Sequence, residues 1–273
     1  MNARWTLGVS SASSFLLALA AVLTATEPVW ADSELMLPYP ASYGKIPAAT
    51  FDAGRQRVGD ANLKVEKLED GTVRLFAESG VDGGARTIAT ATLAPIVDTN
   101  LLRPVFQQSR SFDADNEPLG VMNIDHITGE ATCSLPRSDG VGMRTKRLLL
   151  PEHDRVANVT LNLLFDPLVK GDVSTVDFQI LLCKGDAKLL DFRARVVRRE
   201  DGTNGSGHLV EIRYGPDFGS VFSLLANALV PRLSFWFDPA SSSPWIAHRM
   251  PLYADGPEVF VVRQGIETNI LFD

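Results

Sequence analysis

Residues 175–197, with the sequence TVDFQILLCKGDAKLLDFRARVV, contain two runs in which apolar and polar side chains alternate. The apolar positions that share a register are Val176, Phe178, Ile180 and Leu182 in the first run, and Leu190, Phe192, Ala194 and Val196 in the second. A period of two residues is typical of a β-strand with one buried and one exposed face. The two runs therefore predict two half-buried strands.

The same alternation recurs on both sides of this stretch. Residues 61–66 and 73–76 alternate around Asp70 and Gly71, and an Asp-Gly pair between two such runs predicts a β-hairpin. Further strands are predicted over residues 87–93, 102–112, 120–125, 130–135, 209–214, 233–237, 246–252 and 259–264. About ten strands at regular spacing indicate an all-β fold, either an antiparallel barrel or a strongly curved sheet.

One segment has a helical pattern instead. From Pro151 onward, apolar residues recur at three- and four-residue spacing as far as Phe165, and Asp166 with Pro167 is typical of a helix end. We predict one central helix over residues 151–168, around which the sheet wraps. Residues 59–273 are predicted to form a single β-barrel-like domain, and residues 32–58, which are rich in proline, an extended lead-in.

The N-terminal residues carry the features of an export signal. Arg4 is followed by the nine-residue apolar run 15–23, which is short of the roughly 20 residues that a transmembrane helix needs. We expect residues 1–31 to be a signal peptide that is cleaved after Ala31, which leaves a soluble periplasmic or secreted chain without an integral membrane span. The alternative is an uncleaved anchor. The net charge of −7 over 273 residues argues against a nucleic-acid partner.

The chain has two cysteines, Cys133 and Cys183. In an oxidising compartment such a pair suggests one disulfide. However, Cys133 lies in the apolar register of its predicted strand, whereas Cys183 shares the register of Asp177 and Gln179. Two cysteines on opposite faces of one sheet cannot bond without a bulge or turn, so the sequence leaves the pairing open.

Motifs of catalysis, cofactor binding and metal binding were not found. The chain has neither the Gly-x-Ser-x-Gly nor the His-Glu-x-x-His pattern. Asp125 and His126 with Glu130 would make a weak metal site, and residues 113–117 resemble the start of a calcium loop but have Pro118 where glycine is required. We interpret both as turns, and expect no catalytic residues, no cofactor and no metal.

Two surfaces are candidates for binding. An apolar ligand could contact the apolar strand face, and an anion or partner protein could contact Arg193 and Arg195. The alternative is that the two arginines form a solvated face paired across the hairpin with Glu211. Trp236 and Trp245 could contact a ligand at a barrel mouth or cap the core. The candidate apolar face consists of Val176, Phe178, Ile180, Leu182, Phe192, Val196, Phe235 and Phe237.

Several short stretches resemble a family of exported bacterial β-barrel proteins of unknown function. They are residues 59–65 (GDANLKV), residues 102–106 (LRPVF), Leu150 with Pro151, residues 235–238 (FWFD) and residues 250–252 (MPL). The resemblance implies a curved antiparallel sheet around a helix, similar to the half-barrels of lipoprotein and lipid carriers. Those carriers hold an acyl chain between the sheet and the helix.

We therefore expect a non-enzymatic binding or envelope-maintenance protein of the periplasm that holds a lipid or another apolar ligand. The alternative is an interaction or structural module of the envelope that docks on a partner protein through a sheet edge or the arginine face. A hydrolase that uses scattered Asp and His residues is a third hypothesis.

Overall fold

The computed structural model describes residues 35–151, 155–200, 208–217, 233–267 and 271. The predicted signal peptide, residues 1–31, lies outside these residues. Fifteen strands form here: β1 (Leu37–Pro38), β2 (Gly44–Phe51), β3 (Arg57–Lys67), β4 (Val73–Gly80), β5 (Arg86–Pro95), β6 (Leu101–Phe112), β7 (Pro118–Asp125), β8 (Glu130–Pro136), β9 (Met143–Leu149), β10 (Thr175–Lys184), β11 (Asp186–Glu200), β12 (Leu209–Pro216), β13 (Leu233–Phe237), β14 (Trp245–Pro251) and β15 (Glu258–Arg263).

All the strands belong to one antiparallel sheet. Its order is β10-β11-β12-β13-β14-β15-β2-β3-β4-β5-β6-β7-β8-β9, and β1 pairs with β6 beside this path. The two end strands, β10 and β9, do not pair with each other, so the sheet is strongly curved but not closed. The predicted all-β class is confirmed, with fifteen strands in place of about ten.

The sheet is rolled so far that its two ends overlap. Leu75, Ala91, Gln107 and Ile124 stand opposite one another across β4 to β7, so their side chains share the inner face. On β10, Phe178 also points inward, and Leu181 points to the other face because side chains alternate along a strand. Leu181 packs in one cluster with Ile124. The inner face of β7 and β8 therefore covers the outer face of β10.

This overlap explains how the two cysteines meet. Cys133 on β8 and Cys183 on β10 form a disulfide, with their Cα atoms 5.5 Å apart. Cys183 shares the outward register of Leu181, and the inner face of β8 lies directly over that register. Cysteines on opposite faces of a flat sheet cannot bond. Here the sheet is rolled, so that the inner face of one layer lies against the outer face of another and the two cysteines meet.

Two short helical segments lie inside the roll: α1 (Leu161–Leu164) and α2 (Asp166–Lys170). The buried ring of Phe165, between them, contacts the rings of Phe178, Tyr214 and Phe235 at centroid distances of 5.8, 5.6 and 5.4 Å. The main hydrophobic core therefore surrounds this helical pair, as the prediction of a central helix requires.

The predicted helix over residues 151–168 is wrong over residues 155–160 and at its end, which lies at Lys170; residues 152–154 are outside the described residues. The backbone of residues 155–157 pairs with β10 instead: Gln179 N donates to Arg155 O at 2.9 Å, and Ala157 N donates to Gln179 O at 3.0 Å. Pro167 lies in the first turn of α2, where its missing N–H costs nothing. The helical segment ends at Gly171, which has a φ of 85°.

Two side-chain amides, one buried and one half-buried, hold this connecting segment between the layers. The fully buried Gln107 donates from Nε2 to Val156 O at 2.7 Å and accepts at Oε1 from Val159 N at 2.8 Å. Asn158 makes the same pair of bonds with the backbone of Leu181, at 2.8 and 2.9 Å. The side chains therefore satisfy backbone groups that no neighbouring strand reaches.

The predicted lead-in over residues 32–58 also differs from the structure. Residues 44–51 form β2, which lies in the middle of the sheet between β15 and β3. Pro47 lies within β2 opposite Asn62. Proline weakens a strand prediction because it lacks an N–H donor. Here β2 nevertheless continues through Pro47 in register with β3.

Replacing Thr160 by valine is expected to raise the free energy of unfolding by about 0.5–1 kcal/mol. Thr160 precedes α1 and is fully buried, and its hydroxyl has no hydrogen-bond partner among the residues that the structure describes. Valine keeps the shape and removes the unsatisfied group. Urea unfolding measures the difference. Thr160→Ser is the matched control, because it keeps the hydroxyl and loses a methyl group; a valine variant less stable than the serine variant would contradict the expectation.

Candidate functional site

A groove opens at one end of the rolled sheet, which we call the groove end. This is the end that carries the turns at residues 68–72, 96–100, 126–129 and 238–244. The groove has a volume of about 50 Å³. Its walls come from the segment after β1, from β2 and β3, from the helical pair and from the β13–β14 loop: Pro38, Tyr39, Pro40, Ala41, Ser42, Ile46, Leu63, Val65, Asn162, Leu163, Asp166, Val169, Phe237, Ser243, Pro244 and Trp245.

Local hydrogen bonds fix the β13–β14 wall of the groove. Asp238 N donates to Pro244 O at 2.8 Å, and the Asp238 carboxylate accepts from Ala240 N at 3.0 Å. Such an Asx turn holds a loop without regular secondary structure. The Arg263 guanidinium donates to Ser243 O from the neighbouring β15. The loop therefore presents Trp245 to the groove in a defined position.

Apolar and polar side chains both line the groove. Ile46 and Leu63 stand opposite each other on β2 and β3, and Leu163 on α1 is a further apolar lining residue. Two lining residues have a cationic neighbour: Asp166 forms an ion pair with Lys170 at 2.6 Å, and the centre of the Tyr39 ring lies 5.2 Å from the Lys67 ammonium. A ligand with an apolar chain and a charged or polar head matches this arrangement.

The candidate apolar face belongs to the packed core rather than to an open surface. Phe178, Phe192, Phe235 and Phe237 are buried in the main cluster. Val176, Ile180 and Val196 are partly buried against the same cluster, and Leu182 is half-buried. A ligand on this face would have to displace the ring of Phe165. Only Phe237 among the eight residues lines the groove.

The arginine face is engaged in bonds within the chain. Arg193 donates to both carboxylate oxygens of Asp177, at 2.6 and 3.1 Å, and forms an ion pair with Asp217 at 3.2 Å. The hydrogen bond with Asp177 raises the pKa of Arg193. Arg195 lies on the same exposed face, opposite Arg213. The expected partner Glu211 instead lies opposite Arg198 and forms its ion pair with Arg213.

A second cleft, with a volume of about 280 Å³, adjoins this face. Its polar lining has three carboxylates and two guanidinium groups, and Phe178 and Phe192 form its floor: Arg155, Asp177, Phe178, Asp191, Phe192, Arg193 and Asp217. Three carboxylates against two guanidinium groups leave the cleft with a formal charge of −1. Arg193 is already paired with Asp177 and Asp217, and Asp191 accepts a hydrogen bond from Gln179 at 3.0 Å.

The sheet edge that the interaction hypothesis needs is β9. It pairs only with β8, and its exposed side chains are largely basic. Arg144 donates to Gly185 O, and Lys146 lies 4.0 Å from Asp186. Charged side chains along an edge strand hinder the addition of a further strand. The β9 edge thus has the features of an edge strand that is protected against pairing with another chain.

The two candidate metal sites are turns in the structure. Asp125 Oδ1 accepts from the N–H groups of Ile127 and Thr128 at 2.9 and 3.0 Å, and these bonds lower the pKa of Asp125. Asp113 Oδ1 likewise accepts from Asp115 N and Glu117 N, which confirms the polar hairpin turn. No group of three or more metal-ligating side chains was found in the described part of the chain.

The two tryptophans on β13 and β14 face different clusters. Trp245 is buried in the main core and lines the groove. Trp236 is buried in a separate cluster with Ile246, Phe260 and Leu271 on the other face of the sheet. The prediction that a tryptophan lies at a barrel mouth therefore fits Trp245, whereas Trp236 covers the outer face.

Sequence reasoning missed most of the groove. Tyr39 and Ile46 belong to the segment that we expected to lie outside the domain, and Leu63 and Leu163 are ordinary apolar residues of a strand and a helix. They are far apart in the chain and come together only because β1 pairs with β6 and β2 with β3. A signal that pointed to them was the cluster of aromatic and proline residues at 38–43.

Lowering the pH from 7 to 4 is expected to cost about 2 kcal/mol of stability through His248 alone. The His248 ring lies 5.2 Å from the Phe235 ring and 5.7 Å from the Trp245 ring, and burial lowers its pKa from 6.5 to about 4. In the unfolded chain the ring takes up a proton near pH 6.5, so the contribution is complete above that pH and is lost as the pH falls towards 4. The His248 side chain remains partly exposed to solvent. We therefore expect a loss of stability smaller than the full pKa shift would give.

Urea unfolding of the wild type and of His248→Gln at several pH values isolates this contribution, because the carboxylates titrate alike in both proteins. The stability difference between them should change by about 2 kcal/mol between pH 7 and pH 4. A difference that does not depend on pH would contradict the expectation.

Comparisons with known proteins add a distant likeness. The chain is similar to a solved structure described as a crystal structure of a beta-barrel-like protein of the domain of unknown function DUF1849 from Brucella abortus. The sequence identity is 12%, the alignment covers 81% of this chain and 97% of that chain, and the TM-score is 0.39. No protein-family model and no curated protein matches the chain.

Proposed function

We propose that this protein is a non-enzymatic, exported binding protein of the cell envelope that holds the apolar chain of a lipid in the groove. The observation that supports this most directly is the groove itself, whose lining combines apolar side chains such as Leu63, Leu163 and Trp245 with the charged Asp166. An acyl chain with a polar headgroup has the same division into an apolar and a polar part.

The size of the groove sets how such a ligand binds. The groove, with a volume of about 50 Å³, accommodates only the end of an acyl chain, a few methylene groups long. The rest of the chain lies along the open part between residues 38–42 and the β13–β14 loop. This predicts shallow and reversible binding, which suits a protein that takes up and releases a lipid.

A brominated fatty acid, whose bromine atoms quench tryptophan fluorescence on contact, tests the groove. The chain after Ala31 contains only Trp236 and Trp245, so each can be studied alone. In Trp236→Phe, which keeps Trp245, dibromostearate should quench the fluorescence; in Trp245→Phe, which keeps Trp236, it should not. The expectation rests on Trp245 alone lining the groove.

A variant that fills the groove provides the second test. Ile46 is half-buried in the groove wall, and Ile46→Phe adds volume there. Binding of dibromostearate should weaken at least fivefold, with circular dichroism unchanged. Equal quenching of the two tryptophans, or undiminished binding by Ile46→Phe, would overturn the assignment of the groove.

Export is the second part of the proposal. It rests on the apolar run 15–23 and on the small residue Ala31, and none of the helices in the described residues is long and apolar enough to cross a membrane. Intact-mass analysis of protein from a bacterial periplasmic fraction should give a chain that begins at Asp32. A chain that keeps residues 1–31 would contradict cleavage.

A further inference from the structure

Two hairpin turns and the end of β9, all at the groove end, carry large apolar side chains that face the solvent. Val97 is 82% exposed, and Ile127 and Leu149 are each 75% exposed. Burying such side chains against the rest of the protein would have stabilised the fold, and the structure leaves them outside. Single exposed apolar residues are common on protein surfaces, whereas several that lie together indicate an interaction site. The arrangement of these three residues therefore has to be considered.

Their arrangement is a row along one end of the molecule. Val97 lies in the turn from β5 to β6, which Ile96 N closes with a bond to Leu101 O. Ile127 lies in the next turn at this end, from β7 to β8, and Leu149 ends β9 beside it, because Leu150 N donates to Gly129 O. Val97, Ile127 and Leu149 thus lie at the ends of neighbouring strands of one sheet.

The opposite end of the sheet has fewer exposed large apolar side chains. The other large apolar side chains that are strongly exposed in the described residues are Tyr43, Val141 and Val197. Tyr43 is at the groove end, next to residues 38–42 of the groove wall, and Val197 lies on the outer face of β11. Only Val141 lies on a turn at the far end. The exposed apolar side chains are therefore concentrated at the end where the groove opens.

We propose that the groove end docks on the surface of a lipid bilayer, with Val97, Ile127 and Leu149 inserted among the lipids. In this orientation the mouth of the groove faces the membrane, so that a lipid passes between bilayer and groove without crossing water. This inference rests on the proposed function of the groove for its purpose, but the docking itself is measured separately.

The properties of the row favour a bilayer over a protein partner. Three separate side chains of this kind offer roughly 400 Å², about half of what each side of a stable protein interface buries. They are not joined into one surface, whereas a bilayer needs no complementary shape. The exposed charges nearby almost balance, with Asp98 and Glu130 against Arg103 and Arg147, and with Asp125 engaged in its turn. Apolar insertion rather than attraction to anionic lipid therefore drives the docking.

Vesicle flotation with phosphatidylcholine liposomes tests the docking. The wild type should float with the vesicles, and binding should be the same at 50 and 500 mM salt. The triple variant Val97→Ser, Ile127→Ser, Leu149→Ser should bind at least tenfold more weakly. Val141→Ser is the matched control, because Val141 is also 75% exposed but lies on the far end, and it should bind like the wild type. All these sites are exposed, so circular dichroism should show unchanged folding.

Three results would overturn the proposal: a triple variant that floats like the wild type, a Val141→Ser variant that loses binding equally, or a dimer in light scattering that the triple variant abolishes. Quenching by dibromostearate in solution separates the docking from the groove function. A triple variant that keeps the quenching and loses flotation supports the docking. A wild type that floats but shows no quenching supports the docking and contradicts the groove function.

Discussion

Gln107→Leu is expected to lower the free energy of unfolding by about 4 kcal/mol. The side chain is fully buried and holds the segment between β9 and α1 by accepting from Val159 N and donating to Val156 O. Leucine has a similar volume, so the change leaves little cavity. It does leave a buried N–H and a buried C=O without a partner, and each unsatisfied group costs about 1–3 kcal/mol.

Gln108→Leu is the control for this prediction. Gln108 is the next residue on β6 and is half-buried on the other face, where it donates to Asn123 Oδ1 at 2.7 Å. Losing a partly exposed side-chain bond should cost less than about 1 kcal/mol. Urea unfolding of both variants gives the comparison. Equal stabilities of the two variants would mean that Gln107 does not hold the connecting segment.

Removing the disulfide with Cys133→Ala and Cys183→Ala together is expected to cost about 4 kcal/mol. The bond closes a loop with a sequence separation of 50 residues and joins the two overlapping layers of the roll. In the unfolded chain it restricts the conformations that the loop can reach, and the restriction grows with loop length. Without it, the two layers are held by the packing of Leu181 against β7 and β8, by the bond from Arg144 to Gly185 O and by the hydrogen bonds of the connecting segment.

A reducing agent distinguishes this role from a simple packing effect. Wild-type protein unfolded in urea with a reductant should show the same loss as the double variant, and the double variant should not respond to the reductant. Cys133 is 1% exposed, so reduction of the native protein without urea should be slow. A double variant within 1 kcal/mol of the wild type would show that the contacts other than the disulfide hold the overlap.

Local sequence patterns predicted most of the strands. The alternation in residues 175–197 matches β10 and β11, and the Asp70–Gly71 turn joins β3 to β4 as expected. The same rules missed β2, because Pro47 weakens a strand pattern, and β9, because the four residues 144–147 in its middle are all polar and exposed and show no alternation. Both strands are stabilised by their neighbours in the sheet rather than by their own sequence.

The segment before the helices shows where a local pattern misleads. Val156, Val159 and Leu163 have helical spacing, but Val156 and Val159 are held by Gln179 on β10 and by Gln107 on β6. A buried extended segment between two layers and a buried helix both need apolar residues at intervals of three or four. Only the hydrogen-bond partners, which are distant in the chain, decide between the two.

The sequence by itself determined the all-β class, the position of most strands and the presence of helix at the centre, because these follow from the spacing of apolar residues along the chain. The tertiary structure alone decided that the sheet rolls past closure and that two cysteines from opposite registers meet. It also decided that the groove is built by residues such as Tyr39, Leu163 and Trp245. The physical reason is that a periodic pattern fixes which face of a strand is buried, whereas what covers that face depends on long-range pairing and curvature of the whole sheet.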